Sequence, residues 1–207
     1  MRDYWAESDP LRKSDVVPMR PERISAELGE WLPAEATLVV DTFHAALWTT
    51  QMAQFRKPGQ KYLPCAGSLG WSFPAALGAK CAAGKRKVIC WSGDGAIYYH
   101  LPELETARRR GIAVVLVINN NSGFGQGWPN IQRQQGNTPG DVRELVRFGP
   151  TNFADVAGMF GLRGIRVDHA AQIAPALQEA LASDETVVVD VATDIDCRAP
   201  EPWLPSA

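Results

Sequence analysis

Two short clusters hold side chains whose types and spacing suit chemistry. One is Ser92-Gly93-Asp94-Gly95, closing the run KVICWS at 87–92. The other is Asn119-Asn120-Asn121-Ser122-Gly123-Phe124-Gly125, following the apolar run IAVVLVI at 112–118. A carboxylate in one and amide oxygens in the other are hard oxygen donors. Magnesium requires that donor type in octahedral geometry, with phosphate oxygens and water completing its shell. The glycines let the backbone approach a diphosphate closely. Taken singly, each cluster reads equally well as a turn, because Asp caps and Asn-rich strand ends are ordinary turn chemistry. The pair carries more, since one helix and one strand hold the two at a fixed interval.

The elements needed to position such a pair are legible from periodicity. Helical spacing of Ile24, Leu28, Trp31 and Leu32 predicts a helix over 21–32, with Pro21 suited to its first turn. Strands are predicted at 37–41, 87–92, 112–118, 164–167 and 186–192, and helices at 44–55, 73–83, 101–110, 152–160 and 170–182. Residues 119–150, rich in Gly, Asn, Gln and Pro, read as a long loop with little helix of its own. Strand–helix alternation implies an α/β fold, a doubly wound and mostly parallel sheet with helices on both faces. Its ligands belong beyond the carboxyl ends of the strands. Proline and charge mark 1–20 as an amino-terminal arm and 196–207 as a tail, leaving 21–195 as the single domain.

Composition narrows the function classes. The 21 Lys plus Arg against 23 Asp plus Glu give a net charge of −2, without a footprint for nucleic acid or an anionic membrane. No apolar run is long enough to span a bilayer, and MRDYWAESDP lacks the apolar core of a secretory signal. The four cysteines lack metal-ligand spacing, and Cys81 and Cys90 read as small buried hydrophobes. Reduced thiols without a signal set the cytoplasm as the expected location. The seven tryptophans, Trp203 among them, follow no spacing and suggest core and interface packing.

Gly93-Asp94-Gly95 followed by a double Asn resembles the diphosphate-binding motif of thiamine diphosphate enzymes. GSLGWSFPAALGAKCAAGKRKVICWSGDG is similar to the corresponding stretch of acetolactate synthases and related 2-oxo acid decarboxylases and carboligases. PERISAELGEWLPAEATLVVDTFHAALWTTQ and TVVVDVATD with APEPW are similar to the start and end of the same diphosphate-binding domain. The resemblance implies thiamine diphosphate and Mg2+ as cofactors. It makes Asp94, Asn121 and the carbonyl of Gly123 the metal ligands: Asn121 stands 27 residues after Asp94, the family's usual interval. Asn120 is the alternative register. Leu69 would lie under the cofactor and bend it, Ser92, Gly93, Gly95 and Phe124 would line the diphosphate, and Gly67 and Ser68 would lie near the pyrimidine. His44 would touch the diphosphate or the reacting substrate. Phe43 departs from the glycine of many relatives, which bears on the backbone path there.

The family's activating glutamate belongs to a separate pyrimidine-binding domain, for which 207 residues leave no room. The expected arrangement is a split enzyme acting on a small 2-oxo acid, by decarboxylation or carboligation. A second polypeptide would supply the missing domain in a hetero-oligomer, expected as a heterotetramer. Met1 and the arm suit a complete gene product of that kind. The alternative is a non-catalytic binding or regulatory module that keeps the fold.

Overall fold

The computed structural model describes residues 2–135 and 139–199. Its elements run α1 (Arg2–Arg12), α2 (Pro21–Trp31), β1 (Thr37–Val40), α3 (His44–Met52), β2 (Lys61–Pro64) and α4 (Ser72–Ala83). There follow β3 (Val88–Gly93), α5 (Asp94–Ile97), α6 (Glu103–Arg110), β4 (Val115–Asn120) and α7 (Trp128–Gln135). The chain continues through α8 (Phe153–Met159), β5 (Arg163–Val167), α9 (Ile173–Ala182) and β6 (Val187–Ala192). The six strands among the described residues are all parallel, in the order β2-β1-β3-β4-β6-β5.

Alternation along the strands explains why both faces need helices. Leu38, Val40, Ile89, Trp91, Val115, Val117, Val187 and Val189 pack with Ile24, Leu28, Ile173 and Leu177 of α2 and α9. Their neighbours Val39, Cys90, Leu116, Ile118 and Val188 point the other way, to Phe73, Leu77, Leu104 and Phe153 of α4, α6 and α8. A strand buried on both faces must be apolar nearly throughout, as 112–118 is. β4 nevertheless continues through Asn119 and Asn120, whose side chains find partners in Thr193, just past β6, and Asp190 within it. Among the described residues no helix is long and apolar enough to cross a membrane.

Several segments differ from the sequence reading. Residues 2–12, within the stretch read as an arm, form a helix: the Arg12 guanidinium lies 4.7 Å over the Trp5 ring, and its Nε donates to the Met52 carbonyl at 3.2 Å. Met19 is fully buried and pairs with Thr193, tying the entry of α2 to the end of β6. These contacts are tertiary, so a stretch dominated by charge and proline concealed them. β2 is a short edge strand, half polar and largely exposed, and offers no alternation to read. α7 lies inside the 119–150 loop with none of its residues buried, so no face of it is set into the core. Of the two cysteines read as buried, Cys90 is in the core, whereas Cys81 on α4 is exposed. Trp48 and Trp91 are core residues, Trp71 is 40% exposed, and Trp203 lies outside the described residues.

Candidate functional site

The chain passes from β1 to β2 on one side and returns to β3 on the other. The β1/β3 crevice is therefore a topological switch point, where open parallel sheets bind ligands. A cavity of about 350 Å3 opens there. Its walls come from the segments following β1, β3 and β4, with Leu69 added from the loop between β2 and α4.

Strand register aligns the two clusters. Gly93 pairs with Asn119 across β3 and β4, so Asp94 stands level with the Asn120-Asn121 turn. Asp94 is almost fully buried. One carboxylate oxygen accepts from the Gly95 N–H at 2.9 Å and the other from the Gly123 N–H at 2.9 Å, closing the two strand ends on each other. Burial pushes its carboxyl up to about 7, while those backbone donors pull the other way.

The three asparagines have different duties. The Asn119 side-chain oxygen accepts from the Thr193 hydroxyl at 2.7 Å. Asn120 donates to Asp190 at 2.9 Å and to the Thr151 carbonyl at 2.8 Å, and its oxygen accepts from the Ser122 N–H. Asp190, itself fully buried, also accepts from the Phe153 N–H and the Arg166 guanidinium. Asn121 also lines the cavity, yet its buried Oδ1 has no hydrogen-bond partner. A buried acceptor left unsatisfied is costly and marks a place for a missing donor or cation.

His44 opens α3, half-buried, with its ring 5.9 Å from that of Trp48. Burial lowers its pKa to about 4, so the imidazole is neutral at neutral pH and can accept or donate a hydrogen bond. The preceding Phe43 holds φ 58°, ψ −127°, a conformation that glycine adopts readily and a phenylalanine does not. Its ring is 48% exposed at the cavity rim.

Of the residues singled out in the sequence, His44, Leu69, Gly93, Asp94, Gly95, Asn121, Gly123 and Phe124 line this cavity together. Gly67, Ser68 and Ser92 do not. Ser68 is exposed, its N–H donating to the Cys65 sulfur at 3.2 Å, and Ser92 is buried within β3. A Cβ on Gly93 would project into open space, so the backbone there is bare to a ligand. On Gly95 it would stand 2.6 Å from the Phe124 ring, and on Gly123 2.5 Å from the Val146 carbonyl, so those glycines let the turns close. Sequence reasoning missed Gln126, whose buried Oε1 is also unpartnered and which lines the same cavity. No motif distinguishes it within its loop.

The buried carboxylate, the orphaned amide oxygen and the bare glycine backbone at a parallel-sheet switch point define an α/β domain suited to a metal-bound phosphate ligand. Residues 42–191 match the family model described as thiamine pyrophosphate enzyme, C-terminal TPP binding domain, and the chain belongs to that family. It is 30% identical to benzoylformate decarboxylase of Pseudomonas aeruginosa, covering 89% of this chain and 34% of that protein. It is 35% identical to the acetolactate synthase large subunit IlvG of Mycobacterium tuberculosis, covering 87% and 32%. The solved thiamine diphosphate-dependent 4-hydroxybenzoylformate decarboxylase of Rhodococcus jostii RHA1 superposes with a TM-score of 0.69 at 30% identity, over 85% of this chain and 33% of that one. The chain thus spans about a third of the length of these relatives.

Proposed function

We propose that this chain forms the diphosphate- and magnesium-binding part of a thiamine diphosphate-dependent enzyme acting on a 2-oxo acid. The observation that carries the reading is the orphaned, buried Oδ1 of Asn121 in the same cavity as the Asp94 carboxylate. Asp94, Asn121 and the Gly123 carbonyl would hold Mg2+, and the bare backbone at Gly93 would receive the diphosphate. Leu69 would press against the cofactor from the opposite wall. When bound, thiamine diphosphate supplies an electron sink for decarboxylation of a 2-oxo acid, or for carboligation to a second carbonyl. The residues of this chain orient that group and exclude water, and neutral His44 offers a hydrogen bond at the cavity wall.

The glutamate that activates the cofactor would come from a separate pyrimidine-binding domain, supplied by a second polypeptide in a hetero-oligomer. The exposed apolar side chains support such a cover. Phe43 and Phe124, each at least 38% exposed, line the cavity, and Leu63, Trp71 and Tyr99 are exposed in β2 and in the segments after β2 and α5. Exposed apolar side chains at the mouth of a cavity suit a covering partner. Calorimetry on the assembly that co-purifies with the chain tests the reading. Magnesium-dependent binding of thiamine diphosphate is expected, and its absence would overturn the proposal.

A further inference from the structure

Asp41 makes no contribution to the donor set, yet its bonds join two walls of the cavity. It is fully buried just beyond β1. One carboxylate oxygen accepts from the Thr42 N–H at 3.0 Å and the Gly70 N–H at 3.1 Å, and the other from the Ser72 N–H at 3.0 Å. An interior carboxylate is retained only where donors compensate its lost hydration. Here those donors are backbone groups of two segments about thirty residues apart. Thr42 leads into Phe43 and His44 on one wall. Gly70 and Ser72 follow Leu69 on the other.

The loop carrying Leu69 is held from its far side as well. Gly70 has φ +92°, and a Cβ there would stand 2.9 Å from Tyr99 Cβ and 3.0 Å from the His100 ring. Trp71, at the N-cap of α4, makes no side-chain capping bond. Asp41 supplies that cap from the neighbouring strand, through the N–H of the first helical residue, Ser72.

We propose that Asp41 is a positioning residue for the cofactor site. Its carboxylate locks the 67–71 loop to the end of β1, so that Leu69 and the turn bearing His44 keep a fixed separation across the cavity. The clamp stands on geometry alone, and only its consequence for the cofactor rests on the function proposed above. Asparagine at 41 keeps one acceptor oxygen but turns an NH2 group toward donors that the other oxygen served. Either the bond from Ser72 is then lost, or those from Thr42 and Gly70 are, and the 67–72 segment keeps only part of its hold on the end of β1.

The test pairs residue-resolved hydrogen exchange on the full chain without cofactor with calorimetric titration of Mg2+ and thiamine diphosphate on the co-purified assembly. Asp41→Asn is expected to speed exchange by about tenfold or more at residue 70 or at residue 72, whichever faces the new NH2 group, the equilibrium weight of one hydrogen bond to a charged group. Exchange at Leu116 and Val117 in β4 should stay at the wild-type rate. Magnesium-dependent cofactor affinity should fall by a similar factor. Gly70→Ala, which keeps the carboxylate and displaces the loop from the Tyr99 side, should give the same pattern and decides the matter if the Asn variant does not fold. Wild-type exchange at both residues, or acceleration spread equally through β4, would overturn the clamp. A wild-type assembly that binds no thiamine diphosphate would overturn the cofactor reading instead, leaving the exchange data to judge the clamp.

Discussion

Asp94→Asn separates the burden of the site from its use. An ordinary aspartate titrates near 3.8, and burial raises Asp94 to about 7. Each tenfold in proton affinity is worth about 1.4 kcal/mol, so ionising Asp94 in the metal-free fold costs on the order of 4 kcal/mol above neutral pH. The sign follows from the raised value. The favourable contribution is fully present below the unfolded pKa and is lost as pH rises through the folded one. Between about pH 5 and about pH 8 the metal-free chain should lose roughly 2.5 kcal/mol of unfolding free energy through this residue. Asparagine cannot ionise, so the variant should lack that slope. It keeps only a constant offset of about 1 kcal/mol for a mismatched backbone donor. Urea denaturation in chelator, at several pH values in that range, gives both curves. A difference between wild type and variant that does not change with pH would refute the reasoning. Magnesium with thiamine diphosphate should then raise the wild-type midpoint and leave the variant unmoved.

Asn120→Ala breaks bonds to Asp190 and the Thr151 carbonyl and should cost about 2 kcal/mol in urea denaturation. Asn121→Ala removes an unpartnered oxygen and should leave unfolding within about 0.5 kcal/mol of wild type while abolishing magnesium-dependent cofactor binding by calorimetry. Phe43→Gly relieves a backbone at φ +58° and should raise stability by about 1 kcal/mol, net of the glycine's greater unfolded-state entropy, in thermal melts. Gly93→Ala meets open space and should leave the melting temperature within about 2 °C while blocking cofactor binding. Gly164→Ala sets a Cβ 2.1 Å from the Ala154 carbonyl oxygen and should destabilise the chain by about 3 kcal/mol or more by urea denaturation.

The parts of the fold that could be read in the sequence are those whose cause is local. Apolar runs such as 112–118 announce doubly buried strands, and the spacing of Ile24, Leu28 and Leu32 announces α2. β2 escaped because it is a short, largely exposed edge strand, α1 because charge and proline dominate its stretch, and α7 because none of its residues is buried. The cavity's polar lining was legible at Asp94 and the Asn run because polar residues at the ends of buried strands stand out against apolar neighbours. Gln126 and the bonds of Asp41 were not, since nothing in their flanking residues distinguishes them from ordinary loop and turn positions.

The sequence by itself determined which donor types stand at the ends of which strands, because a strand's exit and the turn after it are set by residues next to each other. Tertiary structure decided what each donor is free to do. Asp190 and Thr193, 70 and 74 residues beyond their partners, engage Asn120 and Asn119 through the β4–β6 register. Asn121, one position past the end of the strand, finds no such neighbour for its oxygen. Three chemically identical side chains in a row therefore differ only through packing. Hydrogen-bond supply in a buried site comes from whatever the fold brings alongside, and spacing along one strand does not reveal it.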